Sequence, residues 1–128
     1  MRALDASYCL DLLRGDAGAR DRALEWESGR EPIAVPAPAL AEFLRARYRR
    51  GGRLLDRRLT LVRRLEVLSR DAEAADEAAR LGGECDRRGE PVGNLDLLIA
   101  GIVRKRDGIL VSRDRDFQGI PGPHLESY

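Results

Sequence analysis

The amino-acid sequence predicts an α/β protein: a three-layer α/β/α sandwich around a parallel, or mostly parallel, central sheet. Three observations lead there. Short apolar runs at 1–4, 32–35 and 109–111 alternate with longer segments of helical character, and strands separated by helices imply a parallel sheet with helices on both faces. The chain has 128 residues of which 43% are hydrophobic, enough for one core, so a single domain over residues 1–128 is expected. No internal repeat or low-complexity linker divides it.

The elements follow in order. Met1-Arg2-Ala3-Leu4 suits a first strand, after which Ser7 is placed to cap a helix through Leu10, Leu12 and Leu13 that Gly15 ends. A second helix covers roughly 17–28. Pro32-Ile33-Ala34-Val35 reads as a second strand, and Pro38 fits the first turn of the helix carrying Leu40, Phe43 and Leu44. Gly51-Gly52 breaks that helix and another covers about 54–64. Val67-Leu68 is a short strand, and 71–88 is an Ala-rich helix. Beyond the loop Gly89-Glu90-Pro91-Val92-Gly93, Asn94 is expected to cap a helix with apolar positions 95, 98, 99, 102 and 103, ending near Asp107-Gly108. Ile109-Leu110-Val111 is the clearest buried strand, and 125–128 adds an edge strand.

Charge is sorted rather than skewed. The 23 Lys+Arg against 22 Asp+Glu leave +1, so no global field marks a polyanion binder. From Arg45 to Arg64, however, nine arginines including Arg50 stand against one acid, Asp56, and from Glu66 to Asp96 nine acids stand against four arginines. A basic face and an acidic face are expected. Cys9 and Cys85 are too few and too far apart for a disulfide framework or a zinc site, and read as reduced packing residues. No apolar run approaches the ~20 residues of a membrane span, and no basic segment precedes an apolar one at the start, so a cytoplasmic protein without membrane association is expected.

Ligands of open α/β sheets bind beyond the carboxyl ends of the strands, and the residues expected there are mostly acids. Asp5 follows strand one, Glu42 lies on the helix after strand two, Asp96 is in the first turn of the 94–106 helix, and Asp114 follows the 109–111 strand, with Asp116 two residues on. Two carboxylates ~5 Å apart at an effective dielectric of ~20 repel by roughly 3 kcal/mol. A convergent set therefore holds protons or a cation. With oxygen donors only, the cation is Mg²⁺ or Mn²⁺ rather than zinc or copper, an ion that suits phosphodiester hydrolysis because it polarises phosphoryl oxygens and activates water.

Four blocks carry a family resemblance: Leu4-Asp5-Ala6-Ser7, Pro38-Ala39-Leu40-Ala41-Glu42-Phe43, Asn94-Leu95-Asp96-Leu97-Leu98-Ile99-Ala100 and Leu110-Val111-Ser112-Arg113-Asp114-Arg115-Asp116-Phe117. In order and spacing they resemble the signature blocks of PIN-domain nucleases, especially the VapC toxins of toxin–antitoxin systems. The resemblance implies a metal-dependent endoribonuclease with Asp5, Glu42, Asp96 and Asp114 as catalytic quartet, Asp5, Asp96 and Asp114 holding Mg²⁺ or Mn²⁺, and Ser7, Ser112 and Asp116 as auxiliary residues. Ala6 stands where the family more often has threonine, and Ser112 keeps the hydroxyl of the threonine frequent at its position. The resemblance further implies RNA as substrate, a homodimer, and inhibition by a small VapB-like antitoxin whose Arg or Lys enters the acidic pocket. Two other roles fit the same residues: housekeeping RNA processing by the same chemistry, and a non-catalytic RNA- or protein-interaction domain. His124 is expected at the surface and outside catalysis, Trp26 and Tyr48 in packing. The arginines of 45–64 are candidates for phosphate or partner contacts.

Overall fold

Residues this short in strand and this apolar on both sides can only be buried from above and below, and the computed structural model of the chain shows that arrangement. It describes residues 1–49 and 52–128; Arg50 and Gly51, counted above in the basic stretch and the helix break, lie outside the described residues. The strands β1 (Arg2–Leu4), β2 (Ile33–Pro36), β3 (Glu66–Leu68), β4 (Ile109–Val111) and β5 (His124–Glu126) form one sheet in the order β3-β2-β1-β4-β5. Every neighbouring pair is parallel, which confirms the fold class.

Successive strand side chains point to opposite faces, and the two layers are sorted accordingly. Ala3 and Leu110 face one apolar cluster with Leu81, Ile99, Ile102 and Val103, supplied by helices α5 (Ala72–Arg87) and α6 (Asn94–Lys105). Their neighbours Leu4 and Val111 face the other, with Tyr8, Cys9, Trp26 and Phe43. These come from α1 (Ala6–Arg14), α2 (Ala17–Gly29) and α3 (Ala37–Tyr48), and α4 (Arg53–Val62) adds Leu61 and Val62 at the edge.

The α5–α6 pair crosses at very short range because small residues line it. A Cβ on Gly101 would stand 2.6 Å from the Ala74 carbonyl oxygen and 2.8 Å from the Ala78 nitrogen, so only glycine permits that crossing.

Several local expectations need correction. Asp5, not Ser7, caps α1: its side chain accepts the Ser7 N–H while its backbone stays extended. Gly93, not Asn94, stands at the N-cap of α6, and Asn94 is its first residue. In both cases the capping role falls one or two residues before the expected one, where the chain leaves the strand or loop. Ile99, Ile102 and Val103 are buried as expected, but Leu95 is 42% exposed and Leu97, Ala100 and Gly101 are buried as well, so the buried face of α6 is wider than the predicted stripe. Tyr48 is 64% exposed and does not pack. Conversely Arg58 is buried: its guanidinium donates to the Phe43 carbonyl and lies 4.8 Å from the centre of the Phe43 ring. A 3₁₀ turn at Arg115–Gly119, not anticipated, buries Phe117. Gly15 ends α1 as expected, with φ at +81°, and Trp26, Cys9 and Cys85 are buried while His124 is exposed.

Candidate active site

Register builds the centre of the site. β1 pairs with β4 so that Leu4 stands opposite Val111, and the next residue on each strand, Asp5 and Ser112, therefore leaves the sheet at the same height. The Asp5 backbone N–H donates to the Val111 carbonyl at 3.1 Å, holding the junction. Asp5 is 4% exposed, and its Oδ2 accepts three donors: the Ser7 hydroxyl at 2.8 Å, the Ser112 hydroxyl at 2.8 Å and the Ser7 N–H at 3.4 Å. The two serine oxygens are themselves 3.3 Å apart. Three donors on one oxygen fix the carboxylate's rotation and compensate its burial, while Oδ1 has no protein donor among the described hydrogen bonds.

The other acids arrive from three directions. Glu42 projects from α3, which follows β2; Asp96 sits in the first turn of α6; Asp114 caps the 3₁₀ turn after β4, accepting the Asp116 N–H at Oδ1, 2.9 Å away, and donating its own N–H to the Ser112 hydroxyl at 3.0 Å. They share one electrostatic field. The Glu42 carboxyl is raised above its ordinary pKa by partial burial first, then by Asp5, Asp96 and Asp114. Asp96 is raised by burial, then by Asp114, Asp116 and Asp5. Glu42 thus lies within electrostatic reach of Asp5, Asp96 and Asp114, and Asp96 within that of Asp5, Asp114 and Asp116, while Ser7 and Ser112 bond to Asp5. A cleft of about 320 Å³ opens at Asp96 and Asp116, lined also by Val92, Gly93, Arg115 and Gly119 among others.

Among the described residues, no three His, Cys, Asp or Glu side chains form a group placed to enclose a metal ion. The donor chemistry nevertheless fits a hard divalent ion. Every candidate is a carboxylate oxygen, Asp5 presents an oriented Oδ1, and Mg²⁺ is usually held by one or two carboxylates with several waters rather than by an all-protein cage.

One buried acid escaped the sequence reading. Asp11, on α1, is 4% exposed; its Oδ2 accepts the Tyr128 hydroxyl at 2.9 Å and the Arg113 guanidinium at 3.0 Å. The signal was a single acid inside the apolar run Leu10-Asp11-Leu12-Leu13, which periodicity alone treats as a helix position facing water.

A parallel α/β sheet with interacting carboxylates gathered beyond its central strands defines the class: an α/β protein with an acidic pocket at the carboxyl edge of its sheet. Within that class the chain belongs to the PIN domain family, which it matches over residues 2–123. It is 38% identical over 68 residues to a tRNA(fMet)-specific endonuclease VapC of Salmonella typhimurium; the alignment takes in 52% of this chain and 52% of that protein. The chain thus spans about half the length of the curated relatives it matches. In three dimensions it is similar to a chain in the DNA-bound VapBC complex of Salmonella typhimurium, with a TM-score of 0.81, 26% identity, and coverage of 98% of this chain and 96% of that one. A chain of VapBC2 from Rickettsia felis, bound to a promoter DNA fragment, has the same fold, with a TM-score of 0.84, 22% identity and coverage of 99% and 98%. No helix among the described residues is long and apolar enough to cross a membrane.

Proposed function

We propose that this chain is the endoribonuclease toxin of a VapBC-type toxin–antitoxin pair, hydrolysing RNA with Mg²⁺ or Mn²⁺ at Asp5, Glu42, Asp96 and Asp114. One observation carries the reading. Carboxylates from four separate elements stand close enough to raise the proton affinity of Glu42 and Asp96, an arrangement that costs folding energy and is explained if a cation and a reaction use it. The endonuclease named among its relatives supports the same reading and makes a tRNA the first substrate to test.

Each residue has a part the geometry suggests. Asp5 and Asp114 present oriented carboxylate oxygens as ligands, with Asp96 the third. A bound Mg²⁺ or Mn²⁺ would polarise a phosphoryl oxygen and lower the pKa of water. Glu42, exposed and with a raised pKa, is suited to accept a proton from the attacking water. Ser7 and Ser112 hold Asp5 in one orientation, and Asp116 adds to the field on Asp96. The uncompensated negative charge also suits an antitoxin's Arg or Lys as an inhibitory plug, and a homodimer is the expected assembly.

The test is RNA cleavage by the purified chain with Mg²⁺ or Mn²⁺, with and without chelator, comparing wild type with Asp5→Asn and Asp96→Asn. Cleavage that needs the ion and is lost in both variants supports the proposal. Cleavage undiminished in both overturns it.

A further inference from the structure

We propose that Arg113 binds a substrate phosphate at the lip of the acidic pocket and that Asp11, locked by Tyr128, is the positioning residue that holds it there. The inference rests on the RNA reading above and names a contact for the same site.

Asp11 has no part in the carboxylate set, yet it is one of the most deeply buried charged side chains of the chain. A buried carboxylate persists when it is paired and hydrogen-bonded. Here the pairing converges from two distant segments. The Tyr128 hydroxyl donates to Oδ2 at 2.9 Å, the Arg113 Nη1 contacts the same oxygen at 3.0 Å, and Arg14 reaches Oδ1 only at 4.0 Å. Burial, and after it the bond to Asp11, push the Tyr128 phenol well above the usual tyrosine range, with Ser7 pulling the other way. Tyr128 therefore remains a neutral donor, and Asp11 is left to bind a cation.

The cation it binds is only half committed. The Arg113 side chain is 55% exposed while its carboxylate partner is 5% exposed, and no other bond of Arg113 occurs among the described residues. A guanidinium carries five N–H donors in a planar fork, so anchorage through Nη1 leaves a donor edge turned to solvent. The backbone is fixed as well. Ser112, immediately before, donates to Asp5 Oδ2, and Asp114, immediately after, donates its N–H back to Ser112. An arginine held between two fixed neighbours, next to a pocket whose carboxylates repel a polyanion, has the shape and charge to take a phosphodiester oxygen in its fork.

The test reads equilibrium binding of a single-stranded RNA oligonucleotide by the full-length chain over a salt series, with chelator present so that binding is read without cleavage. Arg113→Ala is expected to weaken binding about tenfold and to lower the salt slope by about 0.7, the loss of one phosphate contact on a single strand. Arg113→Lys is expected to recover the slope and part of the affinity, since charge is kept and the fork is lost. Asp11→Asn and Tyr128→Phe are expected to weaken binding in the same direction, and Asp11→Asn to add nothing in the Arg113→Ala background. Tyr128→Phe removes one hydroxyl only and keeps the question open to measurement if Asp11→Asn fails to fold. Unchanged affinity and slope in Arg113→Ala, with wild type binding RNA, overturns this inference alone; wild type that binds no RNA overturns it together with the nuclease reading. Loss of antitoxin affinity without loss of RNA affinity also overturns it, assigning Arg113 to the partner instead.

Discussion

The Ser112 hydroxyl stands 2.8 Å from Asp5 Oδ2 and joins residues 107 positions apart in the chain. That bond is a product of strand register: Leu4 opposite Val111 sets the two following residues side by side. Ser112 also accepts the Asp114 N–H, so one hydroxyl orients two of the proposed metal-binding acids.

Ser112→Ala therefore removes a donor from a buried carboxylate and an acceptor from a loop N–H. Partners that orient metal ligands are typically worth ten- to hundredfold in activity, so cleavage is expected to fall by about 10- to 100-fold. Stability is expected to drop by about 1–3 kcal/mol, the usual cost of leaving a buried polar group short of a partner. Cleavage rates and chemical denaturation of the same preparation measure both. An activity equal to wild type would show that Ser112 does not orient Asp5.

The raised pKa values of Glu42 and Asp96 predict an inverted acid response in metal-free protein. Between the unfolded and folded pKa of such a carboxyl the native state binds more protons than the unfolded state, so stability falls as pH rises through that window. Chelated protein is expected to gain stability from these two groups as pH falls towards the ordinary carboxylate range near about pH 4. Asp71 acts in the opposite sense. Its hydrogen bond with Lys105 leads the causes that lower its pKa, so its contribution is present above the unfolded pKa and lost as pH falls through the folded one. Denaturant midpoints of wild type and Asp96→Asn across this range separate the two: the variant is expected to gain less on acidification. An identical pH profile would remove Asp96 from the shared field.

Gly101→Ala tests the α5–α6 crossing. The new methyl would meet backbone atoms of Ala74 and Ala78 at 2.6 and 2.8 Å, which the helices can relieve only by separating. A cost of about 1–3 kcal/mol is expected, as for other overpacked cores, visible as a Tm lower by several degrees. Asp96 stands in the first turn of the same helix, so cleavage per folded molecule reads whether the displacement reaches the acids.

Cys9 and Cys85 are both buried and free. Burial, followed by the Asp5 charge, pushes the Cys9 thiol up to about 12, and the thiolate is the reactive form. Native protein is expected to resist a thiol-alkylating reagent that labels both cysteines in denaturant. Mass spectrometry of timed samples reads the difference, and rapid native labelling of Cys9 would contradict its placement beneath the sheet.

Much of the fold was legible because its physics is periodic. Ile109–Val111 reads as a strand from three successive apolar residues, and the Ala-rich stretch before Arg88 reads as a helix from composition alone. The four acids were legible through their positions after strands and at a helix start. What could not be read depended on neighbours remote in sequence. Arg58 looks like any surface arginine until the Phe43 ring lies beneath it, Tyr48 looks like a core residue until α3 ends with it facing solvent, and Asp11 acquires its meaning only when Tyr128 folds back onto α1. Cap residues were misassigned for a local reason: Ser7 and Asn94 have capping side chains, but the chain turns into the helix earlier, at Asp5 and Gly93.

The sheet order places β1 directly beside β4, so Asp5 depends on Ser112, 107 positions further along the chain. During translation, a polypeptide still short of residue 112 has Asp5 without the serine that steadies it and without Asp114. On the ribosome the pocket consequently stays half-built until the segment carrying Ser112 and Asp114 has emerged and β4 has zipped onto β1.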